Sequence, residues 1–423
     1  MALFNKKQVS DDERLQRIEE YTYEYMRSDD INFTAIFANK LANYAISDST
    51  IDVIGNNLRA ELLNEVLERL KKQLKKTVSK DLGVGGVLVI PYVANNKIYF
   101  NIITQNRFSI NKKVGEDIVD CTVMAEMLTI NNDRYFRWAD YTLKNGNLYI
   151  KYRATNEDTP INITSIPEWS DIKDMSITGV RKMPFMYIKS PVDNRIENND
   201  YGVPITFGCE EQIRKIKHTL DQIEREFDLK EAFIGADITM FNGENALPTD
   251  GIYKKINSGE DDFWEVFDPD YRDEPLFRKL EKECSMLEKQ VGISKGILTD
   301  VETANATATE IKKMLKDTFD FVDDVRTSLE DGLNDFIYAC DVLANYYNLT
   351  PPGDYELVID WSYDLLEDNS ATFSQLIQGV NQGVIKKSEL RQFLRPSETL
   401  EEAQKTIEEI KAQNPTTKDL IGE

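Results

Sequence analysis

A chain of 423 residues is more than one hydrophobic core usually fills, so its length implies several compact units or a subunit completed by its neighbours. Hydrophobic residues make up 41% and charged residues 30%, which excludes a disordered or membrane-embedded chain. With 51 basic against 74 acidic residues the formal charge is -23, which excludes a protein whose main task is gripping nucleic-acid phosphates but leaves DNA open as a passenger.

The longest apolar run, residues 84–90, is far short of the roughly 20 residues a spanning helix needs and reads as a buried strand. Residues 1–7 lack an apolar signal core, so the chain is expected to be made in the cytoplasm with no membrane partner. Cys121, Cys209, Cys284 and Cys340 are widely spaced, which fits reduced, buried thiols better than disulfides or zinc ligation.

Residues 1–80 are predicted helical, with helices at about 34–44 and 57–76; in the second, Leu58, Leu62, Val66, Leu70 and Leu74 form the apolar stripe. Its basic residues Lys71, Lys72, Lys75 and Lys76 are expected at a solvated helix C-terminus. The glycine-rich stretch 83–86 is expected to be a turn leading into a strand. From 83 to about 189 the period switches to two, with strands at 87–90, 97–103, 121–130, 135–143 and 148–153. Asn95-Asn96 and Asn145-Gly146 read as hairpin turns. The turn-rich, aperiodic stretch 190–204 reads as a linker and a boundary.

A helix is predicted over 209–233, with Ile213, Ile216, Leu220, Ile223, Phe227 and Ile234 on one face. Three short strands at 237–241, 251–256 and 263–267 are too few to stand alone and should bury their open face or edges against something else, most simply another copy. A helix over 275–291 starts at Pro275 and stops at Gly292. The loop 293–305 shows no core pattern. Then comes the longest periodic segment, about 307–347, opened by the capping pair Thr307 and Glu310 and closed by Pro351, Pro352 and Gly353. About 40 residues span roughly 60 Å, too long for an ordinary core element, so this helix is expected to cross between domains or pack along neighbours, with a bend at Gly332. A strand at 355–361 and helices at about 371–382 and 399–413 complete the chain.

Chemistry is sparse. A single histidine, His218, sits on a predicted helix and is expected at a surface or interface, which leaves most hydrolase and histidine metal arrangements without parts. No phosphate-cradling loop, nucleophile elbow or zinc-protease helix motif occurs. Asp268 with Asp270, or Asp360 with Asp364, could hold a divalent metal, but chance carboxylate pairs are expected in so acidic a chain. No cofactor and no catalytic residue are expected.

The order helix, small β unit, helix, loop, very long helix, strand and short helices resembles the SPP1-like portal protein family of tailed bacteriophages. The local motifs are Thr307-Ala308-Thr309-Glu310-Ile311 before the long helix, Val358-Ile359-Asp360-Trp361, Asp368, the stretch from Gly383 to Arg391, and Glu401-Glu402-Ala403. The resemblance implies an α+β, elongated portal-type subunit in a dodecameric ring at one capsid vertex, with double-stranded DNA passing along its axis. Its parts would be a wing (1–205), stem helices (206–233 and 272–291), a clip (234–271), a tunnel loop (292–306), a long helix (307–349) and a C-terminal strand and crown (350–423). Lys295, Asp300, Glu302 and Asn305 would be the pore-facing loop residues, and Asn242, Glu244 and Trp264 clip-interface residues. The implied partners are terminase, a head-completion adaptor, and major capsid and scaffolding proteins; the implied location is the virion. A metal-dependent nuclease and a baseplate or tail structural protein remain as other classes.

Overall fold

The computed structural model describes residues 11–27, 30–47, 49–157, 159–195, 201–229, 233–237, 253–256, 264–267, 273–300, 315–361, 378, 380, 382, 384, 386–394 and 404–407. The chain divides into one unit formed by 1–46, 51–301 and 315–359, and a second formed by 47–50, 302–314 and 360–423. The described part of the second includes helix α7 (Lys387–Leu394).

The first unit opens with α1 (Asp11–Met26) and α2 (Phe33–Ile46). Asn32 joins them: its Oδ1 accepts from Ala35 N–H at 2.9 Å, and its Nδ2 donates to the carbonyls of Glu24 and Tyr25 at 2.8 and 2.9 Å. One side chain thus caps the second helix and closes the end of the first. Strand β1 (Thr50–Ile54), within the stretch predicted helical, follows, then α3 (Leu58–Val84), whose N-cap is Asn57. The helix does not end at the lysine cluster. Val78 and Leu82 prolong its buried face to Gly85, which takes a left-handed conformation at φ 97°. The buried stripe runs through Leu63, Val66, Leu67, Leu70 and Leu74, while Leu58 is 60% exposed.

The sheets begin at Gly86. Strands β2 (Gly86–Ala94) and β3 (Lys97–Thr104) form a hairpin, and β10 (Met186–Lys189) joins the other edge of β2. A six-stranded sheet contains β4 (Phe108–Val114), β5 (Asp117–Ile130), β6 (Asp133–Lys144), β7 (Asn147–Asn156), β8 (Thr159–Ile161) and β9 (Met175–Thr178), with β9 paired to β7. Three two-residue turns set the register. Asn95-Asn96, Asn131-Asn132 and Asn145-Gly146 all have positive φ, the backbone that matches strand twist in a tight hairpin. The first and third were predicted as turns.

Helix α6 (Lys316–Tyr346) packs on this framework. Val322, Val325, Leu329, Leu333, Phe336 and Cys340 are all buried. Met186 pairs with Val89 and Ile188 with Val87, so these four share one face of the three-stranded sheet. Gly332 lies against Met186 and Ile188 on that face, and the rings of Phe100 and Phe336 meet edge to face at 5.8 Å. Leu88, Ile90 and Ile103 point the other way, into a core shared with Cys121, Val123, Ala139, Leu148 and Ile150 of the six-stranded sheet. The three-stranded sheet is therefore a middle layer, helical on one face and sheet on the other, in an α+β fold.

One expectation changes here. The described part of the long helix is a core element of its own unit, because its stripe packs on the chain's own sheet. Gly332 serves close packing against Ile188 and Met186. The described helix has 31 residues, about 46 Å at the usual rise, and starts at Lys316 after Leu315, which has ψ 3°. It ends before Pro351. Asn348 is left-handed at φ 51°, Asn348 N–H bonds Asn345 O, and Leu349 N–H bonds Ala344 O, the paired bonds of a Schellman cap. Strand β14 (Glu356–Asp360) then pairs with β1.

Residues 190–204, expected as a linker, are stitched into the core where described. Ser190 N–H donates to Gly85 O at 3.1 Å, Gln105 Nε2 to Gly202 O at 2.8 Å, and Ile110 N–H to the Tyr201 hydroxyl at 2.6 Å. The backbones of Gly85 and Gly202 cross so closely that a Cβ on Gly202 would lie 1.7 Å from Gly85 O, which only glycine permits. Two buried arginines tie the helices. Arg59 donates to Asp341 and to Thr350 Oγ1 and O, and Arg326 donates to Ala45 O and Tyr44 O at the end of α2.

Two tests follow from this packing. Gly332→Ala gains about 1 kcal/mol of helix propensity but places a Cβ 2.7 Å from Ile188 Cγ2, an overpacking that costs about 1–3 kcal/mol. Denaturant titration should show a net loss. Asp81 is 3% exposed, its Oδ1 has no hydrogen-bond partner, and burial holds its carboxyl well above the ordinary value of 3.8 despite the facing Ser190 N–H. Above pH 3.8 the unfolded chain releases a proton that the folded chain keeps, so this group makes stability fall as pH rises towards the raised folded value. Asp81→Asn should raise the melting temperature at pH 7 and do so much less at pH 4; equal gains at both would contradict the account.

Candidate functional site

The residues singled out for function lie mainly on α4 (Glu210–Leu229), α5 (Asp273–Val291) and the chain that joins or follows them. Both helices are amphipathic and pack on each other through Ile216, Thr219 and Ile223 on one and Leu287 and Val291 on the other. Polar bonds fix an antiparallel register. Gln212 Nε2 donates to Glu283 O at 2.9 Å, Thr219 Oγ1 to Glu283 Oε2 at 2.7 Å, and Lys279 Nζ to Gln222 Oε1 at 3.2 Å.

Between the helices the chain forms a three-stranded sheet of β11 (Phe233–Asp237), β12 (Tyr253–Ile256) and β13 (Trp264–Phe267). The central strand β11 is parallel to β12 and antiparallel to β13. The first strand begins at Phe233, four residues before the predicted position, and Ile234, assigned by periodicity to the helix, lies in it. Trp264 pairs with Ala236 through the sheet; Asn242 and Glu244 lie outside the described residues.

After α5 the chain does not become a loop at once. Gly292, at φ 88°, gives this helix a Schellman cap through Gly292 N–H to Lys289 O and Ile293 N–H to Glu288 O. Ile293, Ser294 and Thr299 are buried, whereas Lys295 and Asp300 are exposed. Glu288, fully buried, faces this segment. Its Oε1 accepts the N–H groups of Gly296, Ile297, Leu298 and Thr299 at 3.2, 2.9, 2.8 and 3.4 Å, and its Oε2 accepts the Thr299 hydroxyl at 2.6 Å. Ser294 N–H donates to Thr318 Oγ1 in the first turn of α6 at 3.0 Å. Periodicity misses this arrangement, because backbone donors supply most of the bonds. Glu302, Asn305 and the capping pair Thr307 and Glu310 lie outside the described residues.

The titratable groups that sequence patterns single out can be placed where they are described. His218 is exposed, with its Nε2 3.2 Å from Gln222 Nε2. Burial pushes the thiols up, Cys121 to about 12 and Cys209 and Cys284 to about 11, so they stay protonated and poorly nucleophilic. Among the described residues no group of three metal-ligating side chains occurs and no helix is long and apolar enough to cross a membrane; Asp268, Asp270 and Asp364 lie outside them.

The described elements are thus an α+β unit, a paired helical hairpin with a small sheet between its two helices in the chain, and a long helix after it. The family model for the phage portal protein, SPP1 Gp6-like, matches residues 30–416, and the chain belongs to that family. It is a virion structural protein with a portal role at the capsid vertex. Among solved structures, a chain of the "Virion of native gene transfer agent (GTA) particle" matches with a TM-score of 0.43 and 9% identity, over 88% of this chain and 92% of that one. No curated protein matches.

The hairpin register is testable. Thr219→Val keeps the shape of a fully buried side chain and removes one bond to the Glu283 carboxylate, so calorimetry should show a loss of about 1–2 kcal/mol.

Proposed function

We propose that the chain is the ring-forming portal subunit through which double-stranded DNA is packaged and ejected, hydrolysing nothing itself. Twelve copies surround an axial channel. Residues 1–205 form the wing, 206–233 and 272–291 the stem, 234–271 the clip, 292–306 the tunnel loop, 307–349 the long helix and 350–423 the strand and crown. Terminase docks on the clip during filling and a head-completion adaptor replaces it; major capsid and scaffolding proteins surround the wing. Lys295, Asp300, Glu302 and Asn305 are the candidate pore-facing residues, and Asn242, Glu244 and Trp264 the candidate clip contacts.

The observation that carries this reading is family membership over residues 30–416. Two physical features support it. A three-stranded sheet is at the lower limit of independent stability and needs an apolar face covered or a helix packed on it, so β11, β12 and β13 gain from neighbours, which a closed ring supplies through heterologous contacts. A formal charge of -23 disfavours tight binding of phosphates, which suits a conduit that DNA must slide through.

Mass measurement with negative-stain imaging tests the proposal. The expected result is a turbine-shaped ring with a central hole and a mass near twelve times the 48.7 kDa of one chain. A stable monomer at all concentrations, or metal-dependent DNA cleavage by the pure protein, would overturn it.

A further inference from the structure

We infer that Glu288 is a positioning residue that makes residues 293–299 a rigid extension of α5, so that the first part of the proposed tunnel loop is held fixed instead of being free from Gly292 onward. The functional part of this inference rests on the portal reading; the structural part does not.

Four successive N–H groups and one hydroxyl converge on a carboxylate with no exposure to solvent. Burying a carboxylate is costly unless hydrogen bonds replace its water, and bonds to an ionised acceptor are the stronger kind. Here the replacement comes from backbone amides of 296–299, so the carboxylate keeps its donors only while that segment holds its turn. Gly292 and Gly296, at φ 88° and 125°, supply the backbone freedom that lets the chain curl around it. The dependence is mutual: without the carboxylate, four amides lose their acceptor, that of the buried Thr299 among them.

The same segment is tied to a third element. Ser294 N–H holds Thr318 Oγ1, and Ile293 and Thr318 are both buried. The end of α5, residues 293–299 and the start of α6 therefore form one bonded block. A force on the chain beyond Asp300, as DNA passing the constriction would exert, reaches α5 and α6 together instead of being absorbed at a hinge next to Gly292. Lys295, in this view, sits on the block.

Glu288→Gln tests the charge while keeping the shape and an acceptor oxygen, and Thr299→Val removes only the hydroxyl bond. Hydrogen exchange on the full chain should show the amides of 296–299 protected in the wild type and exchanging roughly tenfold faster in Glu288→Gln, the change expected for losing one charge-assisted bond. Thr299→Val should show a smaller increase. Rings of both variants should keep wild-type mass and melting behaviour close to wild type, yet Glu288→Gln rings should package DNA severalfold more slowly. Deleting residues 301–306 should leave the protection of 296–299 intact.

Unchanged exchange in both variants would overturn the inference, as would faster exchange with packaging at the wild-type rate. Should Glu288→Gln fail to fold, Thr299→Val decides by the same two readouts. If the wild-type chain forms no ring, the portal reading falls, while the exchange result still decides whether Glu288 holds the block.

Discussion

The constraint on which the first unit depends is that one face of α6 must leave water. Val322, Val325, Leu329, Leu333, Phe336 and Cys340 give the helix an apolar stripe about five turns long, and the face of the three-stranded sheet bearing Val87, Val89, Met186 and Ile188 receives it. Burying a side chain of this size contributes about 1.5–3 kcal/mol, so the stripe outweighs any single polar bond nearby. The arginines then act as locators. Arg59 and Arg326 are almost wholly buried, and each must satisfy its donors on carbonyls, hydroxyls or carboxylates that exist only when α2, α3 and α6 are seated.

The helical hairpin has a different economy. Its apolar faces are narrower, and part of each is exposed: Phe227 and Phe277 remain 44% and 49% accessible. Its register is set by Gln212, Thr219 and Glu283, polar groups that specify geometry more than they add stability. An element that must hold a fixed attitude yet present apolar side chains outwards is consistent with a subunit whose surface is finished by its neighbours.

How far the sequence foretold this depends on the range of the forces involved. The turns at Asn95-Asn96 and Asn145-Gly146 were legible because the positive-φ backbone and the residues that tolerate it are local. Strand β1 was not, because its partner β14 lies about three hundred residues away. The lysines in α3 imitated a helix end, yet they sit on its outer flank while Val78 and Leu82 carry the buried face onward. Phe233 and Ile234 fit a helical period but pair as strand. The block around Glu288 was invisible for a further reason: a single carboxylate and a run of backbone amides have no compositional signature.

The pairing of β1 with β14, and of Arg59 with Asp341 and Thr350, also sets a clock. The two Arg59 contacts span separations of 282 and 291 residues and the strand pair a similar one, so the core cannot be completed while the C-terminal quarter of the chain is still being made. At ordinary translation speeds the helices around Leu41 and Leu70 wait on the order of tens of seconds for their partner. During that interval an apolar surface meant for α6 is open to other chains on the same message. A formal charge of -23 gives such neighbouring chains a mutual repulsion during that interval.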